Sequence, residues 1–216
     1  MFTSPATPKP NRRRSLRRLS APLALTLASL LLGAGFATSA QAALISTGSC
    51  NEAPLSHPFA PWGDSSAYEL LPGGNFEGGS AGWTMSGGAK LAAESEPYRA
   101  TGSVGAHSVS LPAGASVQSP FTCVNASYPS FRFFARNEGL LSTVLVQVVY
   151  QTLLGQVSLP LGVVALSGEW QPSLPMLTGS VVTGVLSGGT AHMALRFTAL
   201  TGRSDVDDVF VDPRMK

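Results

Sequence analysis

Residues 73–83 read GGNFEGGSAGW: two glycine pairs surround Asn75, Phe76 and Glu77, and Trp83 follows. Glycine adopts backbone angles that other residues avoid, at an entropic cost on folding. The stretch is therefore either a slack loop or a tight local geometry that requires glycine. The stretch alone fits both interpretations, and the sequence around it is needed to choose between them.

From Tyr68 onward, short apolar or alternating runs are separated by Gly, Pro, Ser and Asn. Residues 108–111 and 116–119 alternate with period two around 112–115, which predicts a β-hairpin. Residues 145–150 are rich in β-branched side chains, which favour strands. Many short strands with regular turn signals predict an all-β sandwich or barrel. We assign it to a single domain, residues 67–216.

The first 42 residues differ from the rest. A basic start without acids precedes an apolar run over 21–37 and the small residues Ala40-Gln41-Ala42. This layout predicts a secretory signal peptide, residues 1–42, cleaved after Ala42. The apolar run is broken by proline and glycine and is shorter than the ~20 residues that span a membrane. We therefore expect a secreted or extracellular protein, with the cell envelope as one location and no membrane span after cleavage.

Cleavage reverses the sign of the net charge. Six of the 14 Lys and Arg residues precede residue 43, which leaves eight against 12 Asp and Glu and a formal charge of −4. The mature chain keeps no basic cluster, so nucleic acid is not an expected partner.

An irregular N-terminal arm is predicted over residues 43–66, because Pro54, Pro58 and Pro61 forbid regular pairing over most of it. The chain has two cysteines, Cys50 and Cys123. In an oxidising compartment a lone pair is most simply a disulfide. Such a bond would attach the arm to the body, at a stabilisation of roughly 4 kcal/mol in the chain-entropy account.

Two motifs at opposite ends of the predicted domain carry a resemblance. Residues 74–79, GNFEGG, precede Gly82-Trp83, and residues 206–211 read VDDVFV. Together with the central run 131–136, they resemble carbohydrate-binding modules of the galactose-binding-like superfamily, of the type found beside cellulases and xylanases. The resemblance implies a jelly-roll β-sandwich of two antiparallel sheets whose first and last strands meet, with Trp83 packed against the sandwich.

The resemblance also implies a structural calcium ion held by Glu77 and an aspartate of the last strand. Calcium takes six to eight oxygen ligands, including carboxylates and carbonyls. Strand alternation sends Asp207 and Asp208 to opposite faces, so one of them is expected to bind, and Asp208 is favoured. The alternative is that Glu77 caps a turn and both aspartates are solvated.

Sugar binding requires aromatic platforms, because apolar sugar faces stack on Trp and Tyr rings. The candidates for ligand binding are Trp62, Tyr98 and Trp170. Few aromatic residues lie near the predicted loops, which is a departure from typical sugar-binding modules.

No catalytic site is predicted. Residues 78–82 match G-x-S-x-G, but the strand and helix that a nucleophile elbow needs are not expected around them. Glu94 and Glu96 would share one strand face, whereas a glycosidase needs two carboxylates facing each other across a cleft.

The sequence thus predicts a secreted, non-catalytic module that binds a polysaccharide or other glycan. The alternative is a structural or adhesive surface protein that uses the same fold for protein contacts. The apolar stretch 174–186 favours this alternative and self-association, because exposed apolar patches mark interfaces. Its secondary structure is left open.

Overall fold

A computed structural model describes residues 54–125, 130–139, 141–152, 154–178 and 190–212. The predicted signal peptide and Cys50 lie outside these residues, so the cleavage site and the pairing of Cys50 with Cys123 stay predictions. The strands are β1 Leu55–Ser56, β2 Tyr68–Leu70, β3 Thr84–Ser86, β4 Lys90–Ala92, β5 Ser108–Leu111, β6 Ser116–Gln118, β7 Thr122–Asn125, β8 Ser130–Asn137, β9 Ser142–Thr152, β10 Gly155–Leu166, β11 Gln171–Pro172, β12 Met176–Leu177, β13 Thr190–Thr201 and β14 Ser204–Asp212.

Two antiparallel sheets form the domain, which confirms the predicted all-β jelly-roll sandwich. The eight-stranded sheet runs β1-β2-β14-β5-β4, with β8 on the other side of β14 and β11 and β12 beyond β8. The six-stranded sheet runs β10-β9-β13-β6-β3, and β7 also pairs with β13. The first and last described strands lie in one sheet, since β2 pairs with both β1 and β14.

The hydrophobic core lies between the sheets and is built by alternation along each strand. Val144, Val146 and Val148 of β9 are fully buried, whereas the residues between them are partly exposed. Phe133 of β8 meets Phe197 of β13 edge-to-face, with ring centroids 4.8 Å apart. A period of two is what a sheet with one buried face requires.

The predicted hairpin over 108–119 is wrong. β5 pairs with β4 and β14 in the eight-stranded sheet, whereas β6 pairs with β3 and β13 in the six-stranded sheet. The turn between them therefore carries the chain from one sheet to the other. The two runs alternate between apolar and polar residues because each strand turns one face to the same core, and the two strands do not pair with each other.

The described part of the arm, residues 54–66, packs on the outer face of the eight-stranded sheet. It contains the short strand β1 and a 3₁₀ turn, Ala60–Trp62. A second apolar cluster lies beneath it, separate from the core, and consists of Phe59, Tyr68, Phe134, Trp170 and Phe210. The arm thus covers an aromatic surface that the sheet would otherwise expose.

The apolar stretch 174–186 is only partly described. Its start forms β12, which pairs with β8 at the edge of the eight-stranded sheet. Residues 179–189 lie outside the described residues. No helix in the described part of the chain is long and apolar enough to cross a membrane.

Candidate functional site

The glycine-rich stretch 73–79 adopts a tight geometry against the last strand. The backbone N–H of Val209 donates to the carbonyl of Gly74 at 3.1 Å, and the N–H of Leu71 donates to that of Val209 at 2.9 Å. A Cβ on Gly74 would lie 2.9 Å from the Val209 carbonyl oxygen, closer than real contacts allow. The stretch is therefore not slack, because glycine lets the chain approach β14.

Trp83 anchors the end of this stretch, as the resemblance implied. Its ring is 6% exposed and meets Phe76 edge-to-face at 4.8 Å. Its indole N–H donates to the carbonyl of Pro72 at 2.9 Å. Trp83 is thus a packing residue.

The paired aspartates of β14 do not alternate. The pairing of β14 with β8 shifts register between Asp207 and Phe210, which is a β-bulge. Asp208 there has a φ of 46°, in the left-handed region. Asp207 and Asp208 are 0% and 2% exposed, and the charge of Glu96 acts on both, so regular alternation does not decide between them and the choice of one as a ligand stays a prediction. A bulge inserts a residue and so interrupts the alternation.

Four carboxyl groups gather around this bulge: Glu77, Glu96, Asp207 and Asp208. The Asp207 carboxylate accepts hydrogen bonds from the Ser95 hydroxyl at 2.7 Å and from the N–H of Glu96 at 3.0 Å. The Asp208 side chain hydrogen-bonds Glu96 and interacts electrostatically with Glu77. The early glutamate and the late aspartates are therefore neighbours, and neither aspartate is solvated.

Burial disfavours the charged form of both aspartates. It raises the pKa of Asp207 to about 7, against the hydrogen bonds from Ser95 and Glu96 that lower it. Burial raises the pKa of Asp208 to about 9, and the charges of Asp207 and Glu96 act in the same direction. Partial burial of Glu77 is outweighed by N–H donors from Ala106 and His107, which lower its pKa.

A cradle in this acidic cluster depends on Gly105. A Cβ at that position would lie 2.6 Å from both Glu77 Oε1 and Ser95 Oγ. The backbone at Gly105 therefore closes around the cluster and leaves no room for a side chain. Within the described ranges, no three acidic, histidine or cysteine side chains converge as a metal-ligand set. A cation here would need main-chain oxygens as well as carboxylates.

Two of the three candidate aromatic residues meet on the surface. Trp62 is 38% and Tyr98 44% exposed, and their rings are perpendicular with centroids 5.0 Å apart. We call this pair the aromatic ridge. Trp62 ends the 3₁₀ turn, where Gly63 has a φ of 78° and donates to the carbonyl of Ala60. The left-handed glycine lets the chain turn directly after the exposed ring.

Trp170 is not part of the exposed surface. It is 6% exposed, and the Arg136 guanidinium lies 5.1 Å from its ring centroid. Its carbonyl accepts a hydrogen bond of 2.7 Å from the Tyr98 hydroxyl. The prediction of Trp170 as a stacking platform therefore does not fit its burial, and its contact instead orients Tyr98.

An ion pair fixes the arm beside the ridge. Arg132 Nη1 donates to Asp64 Oδ2 at 2.8 Å, and the Tyr68 hydroxyl donates to the same oxygen at 2.6 Å. Burial opposes the charge of Asp64, but the hydrogen bonds from Tyr68, Ser66 and Arg132 outweigh it and lower the pKa of Asp64. The Arg132 guanidinium also lies 4.1 Å from the ring centroid of Phe59.

Two depressions flank the ridge. One, of about 360 Å³, is lined by Trp62, Asp64, Ser130, Arg132 and Asp212 among others, and we call it the Arg132 pocket. The other, of about 440 Å³, is lined by His57, Tyr98, Arg99 and Thr101 among others, and we call it the Arg99 pocket. Each combines one exposed aromatic residue with several hydrogen-bonding groups.

The residues considered for catalysis are engaged elsewhere. Glu94 pairs with Arg136 through two hydrogen bonds of 2.5 and 2.6 Å, whereas Glu96 is fully buried and accepts from the N–H groups of Tyr98 and Ala100. The two acids therefore do not face each other across a cleft. Ser80 lies in a turn between other turns, without the strand and helix of a nucleophile elbow.

Sequence reasoning missed Arg132 and Asp64. Arg132 lies between aromatic residues in β8, and a cation inside such an apolar run is the local signal of a buried or half-buried ion pair. Its partner lies 68 residues earlier, inside a segment predicted to be irregular. No local pattern connects the two.

No protein-family model matches the chain, and no curated protein matches it. Similar solved structures include the CBM22-1–GH10 modules of xylanase 10B from Clostridium thermocellum, solved with xylohexaose (TM-score 0.46, 14% identity, 64% of this chain and 27% of that one). Two others come from Xyn10C of Paenibacillus barcinonensis: the tandem CBM22-1–CBM22-2 (TM-score 0.47, 13% identity, 70% and 46%) and its CBM22-1 xylan-binding domain (0.48, 12%, 71% and 100%).

These structures contain carbohydrate-binding modules, the class that the motifs at 74–79 and 206–211 resemble. The chain spans about a quarter of the first structure and less than half of the second. Identities this low speak to the fold alone.

Proposed function

We propose that this protein is a non-catalytic module that binds a polysaccharide, and that the aromatic ridge is its binding site. The observation that carries the proposal is the exposed pair Trp62 and Tyr98 with a polar pocket on each side. Aromatic rings stack on apolar sugar faces, and nearby polar groups bond the hydroxyls. Trp170 contributes by orienting Tyr98.

The two pockets offer different hydrogen-bonding groups. In the Arg132 pocket, Asp64 and Arg132 provide an acceptor and a donor that are already held in place by their ion pair. In the Arg99 pocket, Arg99 and Thr101 provide donors beside Tyr98. Because the ridge rings are perpendicular, one sugar stacks on one ring face and contacts the edge of the other ring. A chain of sugars crossing the ridge thereby reaches both pockets.

Affinity electrophoresis over a panel of soluble polysaccharides, followed by calorimetry on any that retard the protein, tests this site. Trp62→Ala and Tyr98→Ala should each abolish most of the retardation. Leu154→Ala, which removes a fully exposed side chain at the β9–β10 turn, is the matched control and should leave it unchanged. A folded protein that no polysaccharide retards would contradict the function, and retardation unchanged in Trp62→Ala would contradict the site.

The second candidate function is a structural or adhesive protein that uses the sandwich for protein contacts. Large apolar side chains on the surface favour it: Leu141, Leu154 and Leu174 are 81%, 100% and 81% exposed. Exposed apolar side chains mark interaction sites when they form a contiguous patch. Light scattering of the purified protein separates this candidate from a monomeric glycan binder.

We also propose a structural calcium ion at the acidic cluster, with Glu77 and Asp208 as its charged ligands and Asp207 behind them. The support is that Glu77 lies against the Gly105 cradle, where a side chain would have no room, and that Asp208 interacts electrostatically with Asp207, Glu96 and Glu77. Calcium would neutralise carboxylates that otherwise repel each other in a buried site. The backbone carbonyls of the glycine-rich stretch would be its neutral ligands.

Thermal unfolding with calcium, magnesium or a chelator tests this ion. Calcium at a hundred times its dissociation constant stabilises the folded state by about 2.7 kcal/mol. The stabilisation should disappear in Glu77→Gln and Asp208→Asn and persist in Glu94→Gln, whose carboxylate binds Arg136 outside the cluster. Melting temperatures that do not respond to calcium in the wild type would remove the proposal.

We propose that the module works outside the cytoplasm, after removal of residues 1–42, in the surrounding medium or on the cell envelope. The support is the tripartite pattern of that segment. N-terminal sequencing of the exported protein should begin at Ala43. A start at Met1 in the purified extracellular protein would refute the cleavage.

A further inference from the structure

We propose that β10 is an interface at which two copies of this protein join, by antiparallel pairing of its residues 161–166 across a two-fold axis. Among the described residues, β10 pairs with β9 alone, so its other side is a sheet edge. The edge is long, since β10 contains 12 residues. A free edge presents unpaired N–H and C=O groups that can template another strand.

The usual devices that protect an edge are sparse on β10. No Asp, Glu, Lys or Arg occurs between residues 139 and 168, a stretch that includes both β9 and β10. Natural edges are protected by charged side chains, prolines and bulges. Pro160 and the bulge between Pro160 and Gly162 are the two such devices here.

Pro160 also determines which half of the edge is available. Proline has no N–H, and within sheets it sits where that group would face away from the ladder. Pro160 lies opposite Gln147 of β9, and the rule for proline in an edge strand places its nitrogen toward the free edge. It therefore interrupts the outward row of donors and divides β10 into 155–159 and 161–166. The second half is the longer one.

Exposed apolar side chains gather around the second half. Val163 is 56% exposed, and Leu174 and Leu177 on the opposite sheet edge are 81% and 68% exposed. Between the two edges, the sandwich has an opening of about 490 Å³, lined by Val163, Leu174 and Met176 among others. A strand added to β10 would cover this opening and remove the apolar surface from water.

The distribution of charge selects a second copy as the occupant. The chain after residue 42 has a formal charge of −4, so two copies repel each other over most surfaces. Residues 161–166 carry no charged side chain, and the Arg196 guanidinium contacts β10 at Ser158, in the other half. Antiparallel pairing of the two copies of β10 about a two-fold axis consumes both edges and closes the assembly at a dimer. This inference is independent of the glycan site, and it gives the protein-contact function a surface and a partner.

Light scattering during size-exclusion chromatography and sedimentation velocity, over a range of concentrations, test the dimer. The wild type should show twice the monomer mass, and Val163→Lys should weaken dimerisation at least tenfold because the dyad brings two lysines together. Val104→Lys, at a valine 50% exposed in the loop before β5, is the matched control and should dimerise as the wild type does.

A second measurement does not depend on a variant. Hydrogen exchange of peptides covering 161–166 should slow as the wild-type concentration rises, whereas peptides covering 155–159 should change less. A wild type that stays monomeric at its solubility limit, a mass above that of a dimer, or an unchanged dimer in Val163→Lys would each overturn the proposal. Glycan retention in Val163→Lys reports on the aromatic ridge separately, so the failure of one proposal does not imply failure of the other.

Discussion

Replacing Asp64 by Asn should loosen the arm and destabilise the whole domain. The substitution preserves size and, through its one amide oxygen, the ability to accept from the Ser66 N–H, but it replaces Oδ2, the oxygen that accepts from the Tyr68 hydroxyl and pairs with Arg132, by an NH₂ group. The Arg132 side chain is 5% exposed and would remain charged. The perturbation therefore leaves a buried cation without its counter-charge and removes the acceptor of the Tyr68 hydroxyl.

The magnitude follows from the burial of Arg132, because the Asp64 side chain opposite it is 18% exposed. Breaking a buried ion pair by removing one charge costs about 3–5 kcal/mol. Arg132 keeps its hydrogen bond to the Ser173 carbonyl and its contact with the Phe59 ring, so the low end, about 3 kcal/mol, is expected. For a domain of this size that corresponds to a fall in melting temperature of roughly 6–12 °C.

Urea unfolding followed by tryptophan fluorescence measures the loss. Glu138→Gln is the control, because Glu138 is 34% exposed and its pairs with Arg136 and Arg203 are 3.3 and 3.5 Å long. Exposed pairs of this kind contribute about 0–1 kcal/mol. Equal effects of the two substitutions, within about 0.5 kcal/mol, would refute the claim that this ion pair anchors the arm.

The same ion pair has a pH signature. The pKa of Asp64 is lowered in the folded state, so its contribution is complete above the unfolded pKa, about 3.9, and is lost as the pH falls below it. The stability difference between wild type and Asp64→Asn should therefore be constant near neutral pH and shrink progressively below about pH 4. A difference that stays constant down to pH 2 would contradict this assignment.

Three further substitutions test the packing, each by urea unfolding. Gly87→Ala should cost about 1–3 kcal/mol, because φ at Gly87 is 65° and the added Cβ would lie 2.8 Å from the Cα of Ala115. Gly78→Ala, with open space around it, is the control and should change stability by less than about 0.5 kcal/mol. Equal effects of the two substitutions would contradict this geometry. Trp83→Phe should cost about 1 kcal/mol through loss of its hydrogen bond to the Pro72 carbonyl, and no loss would argue against that bond. Phe133→Ala should cost about 3–5 kcal/mol, since its ring is fully buried between the sheets; a loss below 1 kcal/mol would place that ring at the surface.

The class of fold was predictable from local pattern, because alternation and turn residues are properties of short segments. Which strands pair with each other was harder to predict from the sequence. β5 and β6 alternate as hairpin strands do, but each belongs to a different sheet. A period of two shows which face of a strand is buried and leaves open which strand lies beside it.

The acidic cluster was half predictable. The motifs placed Glu77 near the last strand, and the structure brings it close to Asp208. The bulge at the two buried aspartates includes a left-handed residue, Asp208, which is not a glycine and so gives no conspicuous signal in the sequence. The ion pair of Asp64 and Arg132 joins residues far apart in the sequence, and its detection requires the folded arm.

The placement of β14 has a consequence for biosynthesis. This strand lies between β8 on one side and β2 and β5 on the other. The eight-stranded sheet therefore lacks its central strand until residues 204–212 have left the ribosome. Long-range pairings of this kind form late, after the cost of closing long loops has been met. A nascent chain whose middle strand is still missing cannot complete this sheet, which would suit the export through a translocation channel proposed above.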